Sequence, residues 1–244
     1  MSLPRYFFLH VMKTGGTTFR FHAQANFGRK GVYPIKKLDG DVYQAYTDID
    51  RLCDISPERR SQIRCFMGHF PFYAAKAAAP DAVKLTILRD PIERTMSLLK
   101  NMHSWPDERL HTMSYEEIYD SDHYHYMFIR NFQVRQFALA PSDMAETHLH
   151  YIEIDNARLS DAIANLEAVE VVGMHDEYDA FLCDLATDHG WRFGEIPKQR
   201  VSPDRDISAD LRRRIAADNS ADIEFYAVAR DRFERAHSRR SATT

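Results

Sequence analysis

An apolar run from Arg5 to Val11 gives way to a helical pattern from Thr17 to Phe27, and the join between them carries Lys13, Thr14, Gly15, Gly16, Thr17 and Thr18. A short buried strand that enters a double-glycine turn and leaves as a helix predicts the opening of a parallel α/β sheet, because parallel strands need crossover connections. The same join is suited to an anion. Glycines let backbone N–H groups approach phosphate oxygens, the helix N-terminus adds partial positive charge, and the threonine hydroxyls and the Lys13 ammonium complete the coordination. The order is not that of the Walker pattern G-x-x-x-x-G-K-[ST], because Lys13 precedes the glycines. From the strand end its amine can reach the bridging oxygen of a leaving phosphate. A capped helix start with a solvated lysine is the competing reading.

Further along, Pro57 to Gln62 reads as a short helix and Arg64 to Met67 as a second buried strand, ending at Gly68-His69. Val83 to Leu88 is the clearest strand, a β-rich apolar run, and Pro91 introduces a helix from Ile92 to about Met102. From Ser114 onward the period is mostly helical, over Met127 to Leu139, Leu159 to Leu166, Glu177 to His189 and Ser208 to Ala236. One further strand is expected at Val169 to Val172, and the polar tail from His237 is expected to fray. Strands alternating with helices predict the α/β class: a P-loop-like, three-layer fold with a central parallel sheet flanked by helices and a helix-rich C-terminal half.

The strand Val83 to Leu88 runs directly into Arg89-Asp90-Pro91, and Arg94 and Ser97 complete an R-D-P-x-x-R-x-x-S pattern. Arg89 thus stands at a strand's C-terminal edge, where α/β proteins bind ligands. With Ser97, one to two turns into the helix, it can grip a second phosphate that the first loop does not reach. An R-D-P alone is also a common helix start whose arginine pairs with a nearby acid. The two motifs together carry more weight than either.

At this point the sequence resembles the sulfotransferases that use 3′-phosphoadenosine 5′-phosphosulfate (PAPS), in particular the branch containing the heparan sulfate 2-O- and 6-O-sulfotransferases and their bacterial relatives. That branch shows H-I-P-K-T-G-G-T-[ST] near its start, and His10 to Thr18 departs from it only at Val11-Met12. Gly68-His69-Phe70-Pro71-Phe72, Asn131-Phe132-Gln133-Val134-Arg135-Gln136, Asn165-Leu166 and Val171-Val172-Gly173 extend the likeness over most of residues 5–190, while 191–244 match only loosely. The resemblance implies that Lys13, Thr14, Gly15, Gly16, Thr17 and Thr18 hold the 5′-phosphosulfate and that Arg89 and Ser97 hold the 3′-phosphate, with adenosine 3′,5′-bisphosphate (PAP) as product. It also implies one sulfotransferase domain over 1–244: a cofactor-binding core over 5–105, a helical insertion over 106–168, a return to the core over 169–190 and closing helices over 191–244.

Sulfuryl transfer to an alcohol needs in-line geometry, stabilisation of charge on the leaving oxygen and a base for the attacking hydroxyl. Lys13 is the candidate for the leaving oxygen. His69, beside Gly68 at a strand end, is the candidate base, since an ordinary histidine pKa of about 6.5 suits proton removal near neutrality; relatives carry a catalytic histidine in the corresponding segment. A loop histidine bonded to backbone is the alternative, and His10 is a rival for which a structural role is expected. Gln133 and Arg135 are candidate contacts to cofactor or acceptor, or else buried helix-pairing residues. The expected partner is a hydroxyl-bearing acceptor, most plausibly a glycan.

Composition narrows the field further. The net charge of −4 over 244 residues argues against nucleic acid as a partner, and no run approaches the roughly 18 to 20 apolar residues of a membrane-spanning helix. Three cysteines, Cys53, Cys65 and Cys183, form no C-x-x-C pair, which suits a reducing cytoplasm and indicates no zinc site. Asp120 to His125 and His148-x-His150 are too irregular for a metal, and none is expected. The basic pairs Arg29-Lys30 and Lys36-Lys37 follow the glycine loop and can favour an anionic acceptor, whereas Arg59-Arg60 and Arg212 to Arg214 read as solvated faces. A P-loop nucleotide kinase, with Asp90 as its magnesium-binding carboxylate, and a non-catalytic nucleotide- or glycan-binding protein are the competing functional classes.

Overall fold

The computed structural model describes residues 4–35, 38–40, 45–143, 151–194 and 207–241. Five strands, β1 (Tyr6–Leu9), β2 (Val32–Tyr33), β3 (Cys65–Gly68), β4 (Val83–Leu88) and β5 (Val171–Met174), form one sheet in the order β2-β3-β1-β4-β5. Every pairing is parallel. Side chains alternate across it: Phe7 and Leu9 of β1 join one apolar cluster, Tyr6 and Phe8 the other. Burial on both faces is why β1, β3 and β5 read as apolar runs, while β4 carries Lys84 and Thr86 among its apolar residues.

Helices α1 (Gly16–Phe27) and α9 (Tyr178–His189) cover one face, contributing Phe19, Ala23, Phe181 and Leu185. On the other lie α4 (Phe72–Ala78), α5 (Pro91–Met102), α7 (Phe132–Ala138), α8 (Asn156–Glu167), α10 (Ala209–Asp218) and α11 (Ser220–Ser241). The described residues also hold the short helices α2 (Ile49–Cys53), α3 (Pro57–Gln62) and α6 (Tyr115–Asp120), and a single helical turn at Asp122–Tyr124. The result is the three-layer α/β arrangement expected, with β4 and α3 on the bounds read from the sequence.

Several elements differ from expectation. The two-residue β2 and helix α4 are additional, and α11 continues through the tail from His237 to Ser241. The helix expected over Met127–Leu139 is two pieces: a π-helical segment His125–Ile129, then α7, separated by Asn131 at φ 47°. The physical reason is a buried polar joint. Arg94 and Arg135, both fully buried, point into the end of the π-helical segment. Arg94 Nη2 donates to the carbonyls of Phe128 and Ile129, each at 3.1 Å, and Arg135 donates to those of Tyr126 and Met127. They satisfy carbonyls that a helix terminus leaves without partners.

From the other side, the Asp222 carboxylate of α11 accepts from the backbone N–H groups of Gln133 (3.1 Å) and Val134 (2.7 Å), and Asn219 accepts from that of Asn131 (2.9 Å). Asn219 also ends α10, which is why the helix expected over Ser208–Ala236 is two. The Arg59-Arg60 pair is likewise not a solvated face. Arg59 is buried against Asp39 at 2.8 Å and donates to the Lys30 and Val32 carbonyls, while Arg60 donates to those of Leu52 and Cys53. Lys36-Lys37 and His148-x-His150 lie outside the described residues.

Candidate active site

β1 is the central strand, and the chain leaves its C-terminal edge into the Lys13–Thr18 turn. Lys13 takes a left-handed backbone conformation, φ 68°, as does Gly15, φ 97°, which stands at the N-cap of α1. No side chain caps α1 and no acid occupies its first turn, so its N-terminal amides remain available for an anion. Gly16 is required by packing, because a Cβ there would overlap the His10 ring. The Thr14 side chain is buried and donates to the Val11 carbonyl at 2.9 Å, which locks the turn and leaves anion binding to its backbone. Thr17 is exposed and Thr18 half-buried at the helix start.

Arg89 emerges from β4, the neighbour of β1. Its Nη1 donates to the Lys13 carbonyl at 3.3 Å, bringing the two cationic side chains to one place. Burial lowers the pKa of Lys13, and the positive charges of Arg89 and Arg94 lower it further. No acid pairs with Lys13 or Arg89 within ion-pair distance among the described residues. Two neighbouring cations beside an uncapped helix start are a fit for a phosphorylated anion. Ser97 lies half-buried on α5.

Gln133 is bonded to the end of β4. Its side-chain amide clamps the backbone of Arg89, accepting from the Arg89 N–H at 3.1 Å and donating to the Arg89 carbonyl at 2.7 Å. Arg135 is committed to the joint described above, so its geometry is that of a buried pairing residue. Asp90 caps α5, its Oδ1 accepting from the N–H groups of Ile92 and Glu93 at 3.0 Å each, which is the helix-start role of an Asp-Pro pair. Among the described residues no cluster of three or more His, Cys, Asp or Glu could hold a metal ion. Asp120 pairs with Arg214, and His125 bonds to the Tyr119 carbonyl.

His69 follows β3, on the other side of β1. Its Nδ1 lies 2.8 Å from the His10 carbonyl and its backbone N–H donates to the Tyr46 carbonyl at 2.8 Å. The carbonyl can only accept, so Nδ1 carries the proton and Nε2 holds a lone pair. Burial lowers the pKa of His69, opposed in part by the bond to His10, and lowers that of His10 well below the ordinary value. Both imidazoles are therefore neutral at pH 7, with ring centroids 4.3 Å apart.

They open onto a cleft of about 650 Å³ that also involves Gly16, Thr17, Arg20, Tyr46 and Trp105. Sequence reasoning missed Arg20, Tyr46 and Trp105. For Arg20 a signal existed, since it lies one helical turn beyond Gly16. It also missed His175 and Tyr178, which flank Gly15: a Cβ on that glycine would lie 3.6 and 3.4 Å from their rings.

No family model matches this chain, and no curated protein does. Among solved structures, it is similar to a sulfotransferase from Alicyclobacillus acidocaldarius, with a TM-score of 0.52 and 17% identity over 92% of this chain and 94% of that one. The chain has the α/β fold of a sulfotransferase.

Proposed function

We propose that the protein transfers the sulfuryl group of PAPS to an acceptor hydroxyl. The observation that carries this reading is the convergence of Lys13, Arg89 and the uncapped start of α1 at one edge of the sheet, with the neutral His69 on the other side of the same loop. Lys13 to Thr18 hold the 5′-phosphosulfate and Arg89 with Ser97 the 3′-phosphate; PAPS supplies the sulfuryl group. His69 takes the acceptor's proton at Nε2 as the acceptor oxygen bonds to sulfur and the bond from sulfur to the 5′-phosphate oxygen breaks. Lys13 meets the charge left on that oxygen. The likeness of the His10–Thr18 and Gly68–Phe72 segments to the heparan sulfate 2-O- and 6-O-sulfotransferase branch supports the same chemistry and, by itself, favours a carbohydrate hydroxyl.

PAP should bind and raise the melting temperature without magnesium, and ATP should do so much less. Calorimetry with both ligands decides: equal affinity for ATP, or strict magnesium dependence, would support a nucleotide kinase instead. Arg89→Ala and Ser97→Ala should weaken PAP more than adenosine 5′-phosphosulfate, which has no 3′-phosphate. For Arg89 the loss should be about 1.5 to 3 kcal/mol, the worth of a charge-assisted contact. Equal weakening of both ligands would make the arginine a structural residue.

A further inference from the structure

The cleft beside His69 is lined by the polar residues His69, His10, Thr17 and Thr47 together with Gly16, and by Met12, Trp105, Pro106, Phe128 and the ring of Tyr46. Trp105 and Phe128 meet edge to face, centroids 5.1 Å apart at 82°. Trp105 is fastened in place: its backbone N–H donates to the Met102 carbonyl at 3.0 Å, and its own carbonyl lies 2.9 Å from His111 Nε2. Such a wall is prepared for a flat ring.

Positive charge is sparse among the described residues of the cleft. Arg20 is the one arginine or lysine among the described lining residues. Its two terminal nitrogens donate to the Tyr46 hydroxyl and the Pro34 carbonyl, and its guanidinium lies 5.1 Å from the Tyr46 ring centroid. One N–H on each terminal nitrogen of Arg20 is thus spent on a neutral oxygen. Most of the described lining is apolar, which disfavours an acceptor that must keep its hydration, beside a donor that is itself strongly negative.

We infer that the acceptor carries its hydroxyl on an uncharged, flat, largely apolar ring system of the phenol or naphthol kind, seated against Trp105 and Phe128. This rests on the sulfuryl-transfer reading and turns away from the carbohydrate that the family likeness favours. The phenol gives its proton to His69 Nε2, its oxygen bonds to sulfur, and the sulfur–oxygen bond to the 5′-phosphate breaks, leaving an aryl sulfate and PAP.

The test compares labelled sulfuryl transfer from PAPS to 2-naphthol, to cellobiose and to a sulfated, uronate-containing disaccharide, with PAP binding measured separately by calorimetry. Transfer to 2-naphthol should exceed transfer to either sugar by about tenfold or more in kcat/KM. Trp105→Ala should raise KM for 2-naphthol by about tenfold with PAP affinity unchanged, and Trp105→Phe, which keeps a ring, should restore most of it. If PAP binds but 2-naphthol does not outperform both sugars, the inference is overturned, and transfer to a sugar would leave the sulfotransferase reading standing. If PAP does not bind, that reading itself fails.

Discussion

Replacing His69 with alanine should lower turnover by roughly 10²- to 10⁴-fold, the range for loss of a positioned base, and leave PAP affinity nearly unchanged. The split follows from placement: His69 lies across β1 from Arg89, and its Nδ1 is held by the His10 carbonyl. The pH profile adds a second readout. A base works only when unprotonated, so activity should fall as pH drops through the histidine pKa. Burial lowers that pKa from its ordinary 6.5, so the acidic limb should lie below 6.5 and should vanish in His69→Ala alone. A variant with near-normal turnover would remove His69 from the mechanism and direct attention to His10, whose own Nδ1 is buried without a partner.

Lys13→Ala should damage both steps. Its ammonium meets the 5′-phosphosulfate in the ground state, worth about 1.5 to 3 kcal/mol of affinity, and more strongly as charge develops on the leaving oxygen, so turnover should fall by about 10²- to 10³-fold. The backbone needs its own control. Lys13 sits at φ 68°, where alanine is strained and glycine is not. Lys13→Gly removes the same amine without that strain, so both variants should lose PAP affinity by calorimetry and turnover by label transfer. Loss in the alanine variant alone would assign the effect to the loop's conformation and not to the ammonium.

The central part of this architecture was legible because its signals are local. Val83–Leu88 is rich in β-branched and apolar residues and is followed by an acid and a proline that start a helix, and the Lys13–Thr18 join advertises its glycines. What escaped depends on partners distant in sequence. Nothing near Asn131 says that a helix must break there; the break is held by Asn219 and Asp222 from the far end of the chain and by two buried arginines. Gln133 was legible as a residue of the site's neighbourhood but not as the clamp on Arg89, which exists only once α7 docks against the end of β4. The cleft walls are gathered from loops after β1, β2 and α5 and from the π-helical segment, a juxtaposition that periodicity does not encode.

Asp222 and Asn219 hold the first turn of α7, and Gln133 on that turn holds the backbone of Arg89. Because α11 follows the glycine loop in the chain, the loop can form before the support behind Arg89 exists. Arg89 is therefore held at second hand, and its backbone takes its final place only when α11 has docked.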